Sequence, residues 1–101
     1  MSEGAPRAAM PEAIRVGRNH MARLHQRLQW RLPMWVVFGP GTIEYPHHWV
    51  ARMHIVLPEA RATRFVITND SLDQLRATLP PALTYFPRHP DDPPHLVEVW
   101  L

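Results

Sequence analysis

A chain of 101 residues with 46% hydrophobic side chains is sized for one domain with a small core. It contains no cysteine, which excludes disulfides, thiolate catalysis and Cys-based zinc sites, and no apolar run approaches the length of a membrane span. The net charge of +2 is modest, although all 11 basic residues are arginine, the side chain best suited to forked contacts with phosphate and carboxylate.

Residues 1–10 are small, proline-containing and aperiodic, which predicts a disordered tail. They lack the apolar stretch of a signal peptide, so a cytoplasmic location is expected. Pro11-Glu12 can open a helix. Ile14, Met21, Leu24, Leu28 and Leu32 then recur at near-helical steps, with Arg15, Arg18, His20, Arg23, His25 and Arg27 on the other faces. This predicts an arginine-rich amphipathic helix, weakened by Gly17 in its middle and ended by Pro33. Residues 1–33 therefore read as a tail with a helix, and 34–101 as a single α+β domain.

Met34-Trp35-Val36-Val37-Phe38 is a short apolar run closed by Gly39-Pro40-Gly41, hence a strand and a turn. After an irregular loop, His48 to Leu57 alternates cleanly. Trp49, Ala51, Met53, Ile55 and Leu57 fall on a dry side, and His48, Val50, Arg52, His54 and Val56 on a mixed one. Thr63-Arg64-Phe65-Val66-Ile67-Thr68 is a third strand, rich in β-branched and aromatic residues. Asp70 or Ser71 caps a helix, with Gln74 completing a capping box and Leu72, Leu75 and Leu79 on one face. Pro80-Pro81 stop that helix. Leu83 to Phe86 has extended character, residues 87–94 form a proline-rich loop, and His95 to Leu101 is the last strand, with Val97, Val99 and Leu101 on one side. The order β-β-β-α-β predicts a small antiparallel sheet of about four strands with one short helix packed on a face.

Trp35 near a strand start, Tyr45-Pro46, Trp49-Val50-Ala51-Arg52 and the ending Pro87-Arg88-x-Pro90-x-Asp92-Pro93-x-x-Leu96-Val97-Glu98-Val99-Trp100-Leu101 together resemble a group of short bacterial and phage proteins without an assigned activity. The resemblance covers residues 34–101 and implies no fold or chemistry. Members of that group begin near the first tryptophan, which implies a start at Met34 or Met21 and an upstream frame before it.

Four sets of residues bear on chemistry. His89, Asp91, Asp92 and His95 put two imidazoles and two carboxylates in one loop, the donor types of a divalent-metal site. Their spacing matches no established metal signature, and a turn whose carboxylates cap backbone N–H groups is the simpler account. His48 and His54 share a strand face but stand too far apart for one metal. Arg52 and Glu98 are expected to pair across the sheet if their strands are neighbours, and Arg52 with Arg88 is the alternative anion or peptide site. Among Trp35, Tyr45, Trp49 and Trp100, the last shares its strand side with Glu98 and is expected to face solvent as a contact residue.

No catalytic constellation stands out. The only serines are Ser2 and Ser71, and there is no glycine-rich phosphate loop. The leading expectation is a small non-catalytic protein-interaction module with no cofactor, pairing through a strand edge or Trp100 with a protein partner or a second copy. The second is a nucleic-acid-binding module using Arg15, Arg18, Arg23, Arg27 and Arg31, with Arg52 in support. The third is a metal-dependent activity at the His89–His95 loop. No membrane partner is expected.

Overall fold

The alternation around Ala51 places a dry stripe at the centre of the molecule, and the other elements collect on it. A computed structural model describes residues 12–101. The expected tail over residues 1–10 and the proposed helix start at Pro11 lie outside the described residues. In chain order the elements are β1 (Ile14–Arg15), α1 (Arg18–Arg27), β2 (Pro33–Phe38), β3 (Trp49–Ile55), β4 (Arg61–Asn69), α2 (Leu72–Thr78), β5 (Tyr85–Pro87) and β6 (Leu96–Trp100). The strands form one sheet in the order β1-β4-β3-β2-β6-β5. All neighbours are antiparallel except β1 and β4.

The fold is α+β, but the sheet is mixed rather than wholly antiparallel, and among the described residues it has six strands and two helices. Both additional strands are short edge strands. Ile14 and Arg15 pair with Phe65 and Val66 instead of opening the helix. Gly17, read as a weak point within the helix, is its N-cap, with extended backbone. Pro33 does not end the helix. A single 3-10 turn over Gln29–Arg31 intervenes, Leu32 takes a left-handed conformation (φ 53°), and Pro33 opens β2. The residue before a proline is barred from the right-handed helical region, so the chain turns there.

Met21, Trp35, Val37, Ala51, Met53, Ile67 and Leu75 form the buried core, contributed by α1, α2 and three adjacent central strands. Residues before Pro33 are therefore part of the same core as the rest. Trp35 is fully buried, and its indole Nε1 donates to His25 Nδ1 on α1 at 3.1 Å. A buried indole N–H without an acceptor is costly, so this bond fixes how α1 lies on the sheet. At the start of α2, Ser71 Oγ accepts from the Gln74 backbone N–H at 3.1 Å, as its spacing predicts.

Candidate functional site

The expected pairing of Arg52 with Glu98 does not occur, because β2 lies between their strands. Arg52 is level with Val36 and Glu98 with Val37, so the two side chains point to opposite faces. On the helix-covered face, Glu98 is 1% exposed. It accepts Arg76 Nε at 2.8 Å, Arg76 Nη2 at 2.5 Å and Trp100 Nε1 at 2.7 Å. Burial alone pushes the Glu98 carboxyl up, but the hydrogen bonds from Arg76 and Trp100, with the Arg76 charge, outweigh it and hold it below its ordinary range. Trp100, expected to face solvent, is half-buried instead. It packs against the core and meets the Tyr85 ring edge-on at 5.3 Å between centroids. Glu98 makes that side of β6 look polar in sequence, but Arg76 on α2 satisfies the carboxylate, so the side can face the core.

On the second face Arg52 is 2% exposed beneath the β2–β3 loop. Its Nη2 donates to Glu44 at 2.6 Å and its Nη1 to the Thr63 carbonyl at 2.9 Å. His54 stands near it on the same strand. Burial and then the Arg52 charge lower its pKa from 6.5 to about 4. The histidine Nε2 is buried and has no hydrogen-bond partner among the described residues. This group ties the loop to the sheet. Beside it, Phe38, Ile43, Glu44, Pro93, Pro94 and His95 line an open apolar groove of about 550 Å³.

Among the described residues Arg88 makes no ion pair with Glu44, the partner of Arg52. Arg88 Nη2 donates to the carbonyls of Asp92 and Pro93 and so closes its own loop. In that loop the His89 backbone N–H donates to Asp92 Oδ2 at 2.8 Å, and the Asp91 N–H donates to His89 Nδ1 at 3.1 Å. His95 stands apart, its ring against Gly41. Among the described residues no three His, Asp or Glu side chains are grouped to hold a metal ion. His89, Asp91 and Asp92 thus hold their own turn, and His95 does not join them.

Arg23 and Arg27 lie on the exposed side of α1, which carries no acidic residue. Sequence alone did not show what they are joined to. The turn after α1 brings Arg31 beside Arg61 and Arg64 of β4. These three line an open groove of about 420 Å³ together with Leu28, Ile55, Ala62, Thr63 and Phe65. Arg31 is held there by its own main chain: its carbonyl accepts from Val56 at 3.0 Å and Leu57 at 3.1 Å, and its Nε donates to the Leu57 carbonyl at 3.1 Å. Next to it Trp30 is 71% exposed, with the Arg31 guanidinium 5.4 Å from the ring centre. Trp30 was not singled out from the sequence; its position two residues from Leu28 and Leu32, off their shared face, was the signal that could have found it.

Arg15, Arg18, Arg23, Arg27, Arg31, Arg61 and Arg64 all fall on β1, α1, the 3-10 turn and β4. Among the described residues none of the seven is in an ion pair. Three carboxylates, Glu12, Glu59 and Asp70, lie next to these elements, and none lies on them. Elsewhere in the described chain the balance reverses: Arg52, Arg76 and Arg88 stand against Glu44, Asp73, Asp91, Asp92 and Glu98. The small net charge of +2 hides an uneven distribution over the elements, with arginine in excess on β1, α1, the 3-10 turn and β4. Searches of protein-family models, curated proteins and solved structures find no match to this chain.

Proposed function

We propose that this protein is a non-catalytic binding module whose working face is the arginine side, and that its ligand is the phosphate backbone of a nucleic acid. The observation that carries the reading is the uneven placement of charge: seven arginines that make no ion pair among the described residues lie on adjoining elements, while five of the eight described carboxylates sit on the others. Guanidinium groups bind phosphate through paired N–H donors, and unpaired ones pay no penalty for leaving a carboxylate. Such binding releases counterions and weakens as salt rises, by a logarithmic slope of about 0.7–0.9 per phosphate neutralised. Titration of labelled DNA and RNA across a salt series tests this. The expected outcome is binding at low ionic strength that weakens steeply with salt, with a shallower slope for Arg23→Ala and Arg27→Ala. Absence of binding at low ionic strength would sink the reading.

A second reading, a protein-interaction module, is favoured by a different observation. Ile43 is fully exposed on the rim of the apolar groove between Phe38 and Pro94, and contiguous exposed apolar surface is characteristic of contact sites. Under this reading Ile43→Ser removes association with a partner or second copy. Light scattering over a concentration series reads the self-association, and no change of mass with concentration would discard it.

A further inference from the structure

We infer that the groove between the 3-10 turn and β4 takes a single-stranded nucleic acid, with a base stacked on Trp30 and phosphates passing between Arg31 and the Arg61/Arg64 pair. This rests on the polyanion reading above and specifies its ligand. Three observations favour a single strand over a duplex.

The first is Trp30. Its main chain is anchored, because the turn that carries it is closed by Arg31 N–H to the Leu28 carbonyl at 2.8 Å and Leu32 N–H to the Gln29 carbonyl at 3.1 Å. Its ring is nevertheless 71% exposed. A solvent-facing indole carried on an anchored turn is a stacking platform, and every unpaired base offers it a π-face. The second is the groove's composition. Its lining combines apolar Leu28, Ile55, Ala62 and Phe65 with Thr63 and the three arginines. Bases freed from a helix match the apolar lining and the phosphates match the arginines, whereas a duplex presents phosphates outward and keeps its base faces stacked. The third is the position of Arg31, which lines the groove and also flanks the Trp30 ring at 5.4 Å. One side chain therefore links the stacking platform to the phosphate path.

Fluorescence anisotropy of the full chain decides the matter, using a labelled oligothymidylate of about 20 nucleotides and a duplex of the same length at low salt. The single strand is expected to bind several-fold more tightly than the duplex. Trp30→Ala is expected to weaken single-strand binding about fivefold or more while leaving duplex binding unchanged, and Trp30→Phe to retain most of the preference. Because Trp30 is largely exposed, the alanine variant should keep its thermal unfolding midpoint, which circular dichroism checks. Arg61→Ala with Arg64→Ala should weaken the single strand and reduce its salt slope. Equal binding of both probes, unaffected by Trp30→Ala, overturns the single-strand inference and leaves the polyanion reading standing. Binding of neither probe overturns both.

Discussion

At the residue scale, the most constrained polar group is the Glu98 carboxylate. It is buried, and the two prongs of the Arg76 guanidinium and the Trp100 indole supply its hydrogen bonds. Removing the arginine leaves a buried charge, which costs more than removing both partners. Arg76→Ala should therefore destabilise the protein by about 2–3 kcal/mol in urea unfolding. Glu98→Gln with Arg76→Ala should cost less than the single arginine change. A single-variant loss below about 0.5 kcal/mol would show that the pair is merely superficial. Two histidines make a second prediction. His25 accepts the Trp35 N–H on Nδ1 and its pKa is lowered by burial, while that of His54 is lowered to about 4. Each binds a proton more readily unfolded than folded, so the unfolded chain gains protons first as pH falls. Stability should be full above about pH 6.5, fall as the pH drops towards 4, and be flatter in His54→Leu, read from urea midpoints. A wild-type midpoint constant from pH 7 to 4.5 would contradict this. Gly41 is the third case. Its φ is +115°, and a Cβ there would stand 3.0 Å from the His95 ring. Gly41→Ala should lower the thermal midpoint and disturb the β2–β3 loop, seen as shifted amide resonances for residues 40–48; an unchanged spectrum would count against that packing.

At the scale of elements, what the sequence showed depended on how much of each signal was local. The β3 alternation and the α2 cap and leucine face are local patterns. The structure has the α2 cap and face, and it puts Ala51 and Met53 in the core as expected. However, β3 ends at Ile55, Leu57 is exposed, and Val50 and Arg52 on the mixed side are buried as well. The β1–α1 boundary was illegible because Ile14 sits seven residues before Met21, and a strand residue can mimic a helical repeat by chance. Only its pairing with Phe65 across the sheet decides the matter. The facing of β6 was misread for a similar reason: the residue that neutralises Glu98 lies 22 positions away on α2. The Arg31–Arg61–Arg64 groove likewise unites two segments that no spacing rule connects. The edge strand β5 carries its own consequence. Thr84 and Leu101 exchange both main-chain hydrogen bonds, so Phe86 does the same with Val99, and Tyr85 and Pro87 turn their main-chain groups outward. Proline has no N–H to offer, which blunts that edge against a further strand. Pro87→Val should increase self-association at high concentration, measured by light scattering, and an unchanged mass would show that the edge is guarded by something else.

At the scale of the whole molecule, the described residues form one sheet with both helices packed against a shared core, and among them no helix is long and apolar enough to cross a membrane. Segregated charge has an effect beyond any ligand. A body with arginine in excess on β1, α1 and β4 and carboxylates in excess on its other elements is charged unevenly, and two such bodies attract when oppositely charged parts meet. That contact is head-to-tail and leaves a free end on each copy, so it does not close into a ring unless the rotation happens to allow it. The attraction is felt only within a screening length, about 10 Å at 0.1 M salt and about 30 Å at 0.01 M. Dilute buffer should thus draw the protein into open chains that dissolve again as salt is added, the reverse of hydrophobic precipitation.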